Sequence, residues 1–404
     1  MSAAPSSSPV ESANPAPAPH RIILVLAIAA FASACAFRIC DPLLTQLSLE
    51  YGTSTGEAAG VVTIFAVAYG VFQFLFGPLG DRYGKYRTVT AAAFLCAVGS
   101  LGAALAPSLN GMLVARFLSG AAGAGIIPLA MAWIGDNVDY AQRQATLARF
   151  ITGTIIGMAA GQLIGGLFAD TIGWRAAFAT LAAIYLAAGM LLVRLTPARS
   201  DAERAVPAGF LGPIRNVLGY PWARTILFTV FLEGALVFGV LAFVPTYVQQ
   251  RFQLGPTASG AIGGLFAVGG IGYVIISRRL IARLGEIGLV ASGGLVLMAA
   301  CGLYALGPTW TWCAVASLLS GFGYYLIHST LQTNATQMAP ARRGTAVALF
   351  ACCLFLGQSA GVAVAAALVQ RVEPYWLFGG TAVILPLLGA FFAAQLKRRA
   401  IGEQ

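Results

Sequence analysis

Long apolar stretches alternate with short polar segments along the whole chain. A helix of about 20 apolar residues is long enough to cross the hydrocarbon core of a bilayer, and the sequence contains twelve such stretches. Their approximate limits are 21–46, 57–78, 88–107, 109–134, 145–169, 175–196, 223–249, 257–277, 287–307, 309–335, 345–370 and 375–396. The pattern predicts an all-α membrane protein with twelve transmembrane helices.

Composition and charge agree with this prediction. Only 9% of the 404 residues are charged and 58% are hydrophobic, whereas soluble domains carry about 25% charged residues. The net charge of +10 does not indicate a nucleic-acid partner, because membrane proteins concentrate Lys and Arg on the cytoplasmic side. With the first loop outside, nineteen cations fall on the inner side and three on the outer side. We therefore predict a multi-pass protein of a cell membrane, the inner membrane of a bacterium, with both termini cytoplasmic.

The spans divide into two halves around the longest polar loop. We predict a disordered cytoplasmic tail over 1–20, a six-helix bundle over 21–196, a cytoplasmic linker over 197–222, a second bundle over 223–396 and a tail over 397–404. The first span is interpreted as uncleaved, since no plausible cleavage site follows it. An internal repeat at an offset of about 200 residues supports the division. It aligns Gly60 with Gly260, Gly70 with Gly270, Arg143 with Arg343, Phe150 with Phe350, Gly157 with Gly357 and Gly161 with Gly361.

A dense polar turn over 77–87 separates the second and third spans. Its glycines allow a tight turn and the close approach of another helix. The Asp81 carboxylate can sit against the N-terminus of another helix or pair with an arginine, in one conformation and not in another. The spacing Gly-x-x-x-Asp-Arg-x-Gly-Lys-x-Arg closely resembles the corresponding loop signature of the major facilitator superfamily. The residues predicted to form this conformational latch are Gly77, Asp81, Arg82, Gly84 and Arg87.

Two opposite charges lie near the outer end of the first span. Arg38 and Asp41 are three residues apart, hence on one helix face, and Pro42 disturbs the helix behind them. An unpaired charge inside a span costs about 2.5–3.5 kcal/mol, so the two side chains should neutralise each other or line a watery cavity. Either they form a boundary pair near the membrane surface, or Asp41 is a protonatable carboxylate whose proton affinity depends on how closely Arg38 approaches.

A third charge opens the fourth span. The segment Leu113-x-x-Arg116-Phe117-x-x-Gly120 resembles the arginine motif of proton-coupled members of the superfamily. That resemblance implies that Arg116 competes with Arg38 for Asp41 and makes these three residues the proton-coupling set. The alternative is an arginine whose charge reaches the membrane surface and anchors the end of the helix.

A ridge of glycines lies within the fifth span. It consists of Gly153, Gly157, Gly161, Gly165 and Gly166, a spacing that suits close helix packing. The ridge resembles the glycine-rich motif of exporters that exchange substrate for protons, but Gln162 occupies the position where that motif has proline. A ridge that serves packing alone is the other interpretation.

The second half carries different polar residues. Glu233 lies about ten residues into the seventh span, and a mid-membrane acid is a candidate for binding a cationic substrate or carrying a proton. His328 lies in the tenth span among tyrosines that suit a ligand pocket. For both residues a hydrogen-bonded structural role is the alternative. The predicted substrate-binding residues are Glu233, Phe231, Phe238, Tyr324, Tyr325 and His328.

Other functional classes find no support in the sequence. The seven cysteines lie in apolar stretches without metal-type spacing, so neither a metal site nor a disulfide framework is predicted. Without a nucleotide-binding loop or a catalytic triad order, we expect no cofactor and no enzyme activity, and energy would come from an ion gradient.

The combined features are similar to the twelve-span drug:H+ antiporter branch of the superfamily. The resemblance implies two bundles that pivot around a central site, and proton-coupled efflux of a small amphipathic molecule by a functional monomer in the lipid bilayer. Two alternatives stay open. One is a proton-coupled carrier of a metabolite such as a sugar, amino acid, organic acid or siderophore. The other is a receptor or scaffold that transports nothing.

Overall fold

The computed structural model describes residues 19–195 and 211–402. Most of the predicted tail over 1–20, the linker segment 196–210 and the last two residues lie outside these ranges. The α-helices are α1 (Pro19–Arg38), α2 (Leu44–Tyr51), α3 (Thr55–Ala58), α4 (Gly60–Tyr83), α5 (Lys85–Ala104), α6 (Leu109–Gly123), α7 (Ile126–Asn137), α8 (Tyr140–Thr171), α9 (Trp174–Arg194), α10 (Leu211–Leu218), α11 (Pro221–Glu233), α12 (Gly239–Leu241), α13 (Val244–Phe252), α14 (Pro256–Leu306), α15 (Trp310–Ala335), α16 (Arg343–Val369) and α17 (Pro374–Gly402).

Twelve membrane crossings result, as the sequence predicts. Ten helical segments of the described chain are long and apolar enough to span a membrane. One of them, α14, has 51 residues and a non-helical residue, Gly285, with φ 60° and ψ −178°. Gly270 and Gly293 both pack on α15, against Tyr325 and Ile327. A straight helix would separate them by about 35 Å, so α14 folds back at Gly285 and crosses twice. The helix α15 supplies the twelfth crossing.

The predicted polar turn over 77–87 is mostly helical. The helix α4 continues through Tyr83, and only Gly84, at φ 88° and ψ 131°, departs from helical geometry before α5 begins. That positive φ favours a residue without a Cβ. The charged side chains at the end of α4 are exposed, so water solvates them without unwinding the helix. The tight turn predicted within 77–87 is confined to Gly84, because polar composition marks where a helix leaves the membrane and not where it ends.

Part of the predicted linker is also helical. The helix α10 occupies residues within 197–222, and its Val217 side chain is completely buried. Apolar residues three to four apart on one face of a short helix explain this packing.

The repeat between the halves is visible in the helix contacts. Gly157 and Gly161 of α8 pack directly on the backbone of Phe31 and Cys35 in α1. In the second half, α16 glycines pack on the segment after Pro221 in the same way, and each contact is displaced by 200 residues. These contacts join Gly357 to Phe231 and Gly361 to Ala235. The two bundles therefore use the same glycine contact between their first and fifth membrane helices.

The described hydrogen bonds between the bundles lie toward one end of the molecule. We call the end with the start of α1, the Gly84 turn and the end of α17 the terminal face, and the other end the opposite face. Among the described residues, four hydrogen bonds cross between the bundles toward the opposite face. They join Gln249 Nε2 to the Pro42 carbonyl at 2.9 Å, the Thr257 amide to Asp170 Oδ2 at 2.7 Å, Gln370 Nε2 to Ser54 Oγ at 3.0 Å and Ser359 Oγ to the Thr63 carbonyl at 3.2 Å. The bundles are thus closed against each other on that side.

The glycine contact predicts unequal effects of two alanine substitutions on α8. A Cβ at position 161 would lie 2.9 Å from the Cα of Cys35, and overpacking of this kind costs about 1–3 kcal/mol. We expect Gly161→Ala to lower the unfolding midpoint of the purified protein in detergent. The control is Gly153→Ala, because nothing lies within 4 Å of a Cβ there. Equal midpoints for the two variants would contradict the contact.

Candidate functional site

Polar side chains gather in two places inside the membrane-spanning region. The first, here named the Asp41 cluster, consists of Arg38, Asp41, Arg116 and Gln162. The second, the Glu233 cluster, consists of Glu233, His328, Tyr324 and Phe350. All eight side chains are buried in the protein, so each polar group must find its partner within the fold.

The Asp41 cluster begins where the first crossing is interrupted. The helix α1 ends at Arg38, and Pro42 follows in a 3-10 turn that spans Asp41–Leu43. Arg38 Nη2 lies 3.1 Å from Asp41 Oδ2, with 2% and 0% of the side chains exposed. The terminal nitrogens of Arg38 nevertheless lack an aligned hydrogen-bond acceptor. The predicted pair is therefore present as a close charge contact rather than a bidentate hydrogen-bonded bridge.

Gln162 completes the partners of Asp41. Its Nε2 atom donates a hydrogen bond to Asp41 Oδ2 at 2.8 Å, across 121 residues of sequence. The sequence reading noted Gln162 only as a replacement for proline and assigned it no function. The signal was present, since an amide in the middle of an otherwise glycine-rich and apolar helix needs a buried partner.

Arg116 belongs to the same region but holds other groups. It donates hydrogen bonds to the carbonyls of Ala36 at 2.9 Å and Val61 at 3.2 Å. Its guanidinium carbon lies 3.9 Å from the centroid of the Phe65 ring, in cation–π contact. Only 1% of Arg116 is exposed, so its charge does not extend to the membrane surface. It makes no ion pair with Asp41 here, and its Nη2 atom has no hydrogen-bond partner.

The Glu233 cluster joins two residues that are 95 positions apart. His328 Nδ1 lies 2.8 Å from Glu233 Oε2, and the Glu233 side chain is completely buried. The Tyr324 ring stacks on the His328 ring with centroids 4.6 Å apart, and the Phe350 centroid lies at 5.4 Å. Sequence reasoning named Glu233 and His328 separately and did not pair them, because they lie on different helices.

A local irregularity positions Glu233. The helix α11 ends at this residue, and a π-helical turn over Gly234–Phe238 follows it directly. Single π-helical turns are rare and occur often at functional sites, because they rotate the following side chains relative to the helix. Here the turn contacts α16, where a Cβ on Gly234 would collide with the backbone of Leu354.

Aromatic residues connect the two clusters across the bundle interface. The Arg38 guanidinium carbon lies 5.6 Å from the centroid of the Phe238 ring, and that ring lies 5.1 Å from Tyr324. A cavity of about 20 Å³ opens between the bundles, with Arg38, Gln162 and Tyr325 among its lining residues. This volume is enough for about one water molecule. The predicted ligand residues Phe238, Tyr324 and Tyr325 therefore lie between the charged groups.

The Phe231 side chain does not face the Glu233 cluster. It lines a separate apolar cavity of about 310 Å³ between the segment around Gly239, α16 and α17. Two residues along a helix correspond to a rotation of about 200°, which places Phe231 and Glu233 on opposite sides. Of the six predicted substrate-binding residues, this one is not brought to the Glu233 cluster.

The charged residues of the predicted latch are exposed to solvent in this structure. Asp81 and Arg82 are exposed, and Arg82 lies over the ring of Tyr83 at 5.2 Å. Among the described residues, Asp81 has no hydrogen bond or ion pair. The neighbouring ion pair of Lys85 with Asp136 remains within the first bundle. Arg87 is likewise exposed. A Cβ added at Gly80 would contact the Leu129 side chain of α7, whereas a Cβ added at Gly77 would have no neighbour within 4 Å.

Asp170 makes the kind of contact that the sequence suggested for Asp81. It ends α8 at the opposite face, and its carboxylate accepts a hydrogen bond from the Thr257 amide at the first turn of α14 in the other bundle. A carboxylate at a helix N-terminus is stabilised by the free amides and the helix dipole. The contact therefore ties the two bundles together at the closed face.

Comparisons with known proteins agree with this architecture. A sequence model described as Major Facilitator Superfamily matches residues 26–362. The chain is 24% identical to the uncharacterized MFS-type transporter YceJ of Bacillus subtilis, over 87% of this chain and 90% of the relative. It is 24% identical to the efflux pump FUB11 of Gibberella moniliformis, over 63% of this chain and 48% of that protein. A bacterial homologue of the human lysosomal transporter Spinster, in an inward-facing and unoccupied conformation, superposes with a TM-score of 0.73 at 16% identity, covering 94% of this chain and 97% of the other.

The described residues contain no cluster of His, Cys, Asp or Glu suited to a metal ion. Each of the seven cysteines is a free thiol, and all but Cys353 are buried.

The Asp170 contact predicts a change in local opening. Replacing Asp170 with Ala removes the acceptor at the α14 N-terminus. Loss of such a cap costs about 1 kcal/mol of stability, which raises the population of the locally open state about fivefold. We expect the amides of 255–259 to exchange hydrogen about fivefold faster in mass spectrometry. Glu373→Ala is the control, because this exposed acid lies at the same face without contacting the other bundle. Unchanged exchange in Asp170→Ala would refute the role of the cap.

The Glu233–His328 contact predicts energetic coupling. Each single substitution, Glu233→Gln or His328→Phe, leaves a buried polar group without its partner, so the double variant should lose less stability than the sum. Coupling energies between contacting residues are about 0.5–3 kcal/mol, measurable by denaturant unfolding in detergent micelles. The control cycle combines Glu233→Gln with Ser317→Ala, whose hydroxyl instead contacts Tyr304. Additivity in the first cycle would contradict the contact.

Proposed function

This chain belongs to the Major Facilitator Superfamily and is a membrane transporter, and we propose that it exports a small amphipathic molecule in exchange for protons. The observation that carries the proposal is the buried contact of Asp41 with Arg38 and Gln162 at the place where the two bundles meet. A charge so far from water is retained where its partners change during function.

Asp41 is the proton carrier in this proposal. When it takes up a proton, its attraction to Arg38 falls, and the arginine is free to reorient within the interface. Arg116 lies behind the pair and holds the carbonyl of Ala36, two residues before Arg38. It thereby keeps the end of α1 in place, and its unpartnered Nη2 atom is available to Asp41 when Arg38 moves away.

The substrate site lies between the clusters. Glu233 with His328 offers charge and hydrogen bonds, whereas Phe238, Tyr324 and Tyr325 offer aromatic surface. A site with apolar walls and few polar groups suits an amphipathic ligand. The Asp81 carboxylate and its neighbours at the Gly84 turn form the conformational latch, which is released in the present state.

The proposed direction of transport rests on the distribution of Lys and Arg between the two faces and on the closed opposite face. Seventeen of the 22 described Lys and Arg residues lie toward the terminal face, and by the positive-inside rule we assign that face to the cytoplasm. In that orientation the hydrogen-bonded opposite face lies outside the cell, which supports entry of the substrate from the cytoplasm. The glycine ridge of α8 and the similarity to a protein named as an efflux pump support export from the cell over uptake.

The decisive test is proton-driven flux in liposomes. Compounds that raise the unfolding temperature of the purified protein are first selected from cationic, anionic and neutral amphipathic molecules and from common metabolites. We expect an imposed pH gradient to drive the movement of at least one of them, and Asp41→Asn to reduce this flux to that of empty liposomes, because the variant cannot bind the proton. Glu373→Gln is the matched control and should transport normally.

The outcomes separate the alternatives. Flux that still responds to the pH gradient in Asp41→Asn would remove Asp41 from the mechanism. Selective stabilisation by a sugar, amino acid, organic acid or siderophore would replace the drug-like substrate with a metabolite. Cells that lack the protein should accumulate the transported compound, whereas reduced uptake in those cells would reverse the direction.

A further inference from the structure

Gln162 lies at the junction of both bundles. On one side its Nε2 atom donates to Asp41 Oδ2 at 2.8 Å. On the other side it faces the first half of α14, which belongs to the second bundle. The Gln162 side chain lies against Gly263, where an added Cβ would be 3.0 Å from its Cδ atom, and its backbone carbonyl lies against Gly260. One amide therefore touches the candidate proton carrier and the moving partner bundle.

The amide has no other anchor. Gln162 is 2% exposed, and its Oε1 atom has no hydrogen-bond partner. A buried amide oxygen without a donor is destabilising, so the present orientation of the Gln162 amide depends on its bond to Asp41 and on the packing of the α14 glycines. When α14 moves away, water can reach Oε1 and the amide is free to turn.

We propose that Gln162 is a positioning residue that makes the proton affinity of Asp41 depend on whether the bundles are closed at the opposite face. The inference rests on the proposed function, since it assigns this role with respect to Asp41 as proton carrier. With α14 in place, the amide stabilises the ionised carboxylate beside Arg38. Once α14 separates, the amide leaves the carboxylate and Asp41 binds a proton more readily. Opening toward the outside thereby favours proton uptake there.

Other groups near Asp41 do not provide this link. Arg116 on α6 contacts Val61, Ala36 and Phe65 within its own bundle. Arg38 reaches the second bundle only through the Phe238 ring at 5.6 Å, which offers Asp41 no hydrogen-bond donor. The Tyr304 hydroxyl, near the end of α14, is hydrogen-bonded to Ser317. Gln249 of the second bundle donates to the Pro42 carbonyl and to Ser259, and not to Asp41.

The test measures protonation directly and needs no substrate. Purified protein in lipid nanodiscs is titrated by infrared difference spectroscopy, and the carboxyl band that disappears in Asp41→Asn reports Asp41. Gln162→Met removes the donor and keeps the length of the side chain. A hydrogen bond to a charged group contributes about 1.5 kcal/mol, so the midpoint of the band should move up by about one pH unit.

Two matched pairs of variants separate positioning from packing. Gln46→Met also removes an amide bond to α8, since Gln46 donates to the Ala169 carbonyl, but it should leave the midpoint unchanged. Gly263→Ala should displace the amide and raise the midpoint, whereas Gly264→Ala, whose Cβ would be 3.4 Å from the Ala159 carbonyl oxygen, should not. Gln162→His, which restores a donor, should return the midpoint toward that of the unchanged protein.

Each outcome is decisive. A midpoint that is the same in Gln162→Met and in the unchanged protein overturns this inference alone and leaves Asp41 as the carrier. A lower unfolding temperature without a shift in midpoint assigns Gln162 to packing and overturns the inference equally. If no band depends on Asp41 in the unchanged protein, the residue does not titrate, and the proposed function itself fails.

Discussion

Charge inside a membrane is stable only where protein groups take the place of water, and this constraint organises the interior of the molecule. Arg38 and Asp41 lie next to each other on the first crossing and supply each other with opposite charge. Gln162 from α8 adds a hydrogen bond to Asp41, and Arg116 is held by backbone carbonyls and an aromatic face. Removing Arg38 would leave the buried Asp41 without an opposite charge.

Close packing makes such contacts possible. The glycines of α8 let the backbone of α1 approach directly, and this brings Gln162, on the same helix, within hydrogen-bond distance of Asp41. The second bundle repeats the packing with α16 but not the charges: at the position of Arg38 it has Phe238, whose ring meets the Arg38 guanidinium across the interface. A repeated scaffold therefore holds different polar groups in its two halves, with the Arg38–Asp41 contact in one and the Glu233–His328 contact in the other.

The two faces carry acidic residues in similar positions near the end of a helix. At the closed face the Asp170 carboxylate caps a helix of the partner bundle. At the other face Asp81 has a similar position at the end of a helix but remains exposed. Caps of this kind are worth about 1 kcal/mol, small enough to be broken in each cycle and large enough to bias the population of states.

The amino-acid sequence by itself determined the properties that are local or periodic. Hydropathy fixed the number of crossings, the 200-residue offset anticipated the equivalent glycine contacts, and the three-residue spacing of Arg38 and Asp41 anticipated their pairing. These results follow because helix length, helix faces and repeat register depend only on neighbours along the chain.

Tertiary structure alone decided which distant groups meet. The partner of Asp41 lies 121 residues away and that of Glu233 lies 95 residues away, and their contact depends on how helices are rotated and packed. The π-helical turn after Glu233, the cap formed by Asp170 and the helical continuation of α4 to Gly84 likewise have no distinct one-dimensional signal. Hydropathy records how much a residue favours lipid, whereas the partner that satisfies a buried polar group is set by the geometry of the whole bundle.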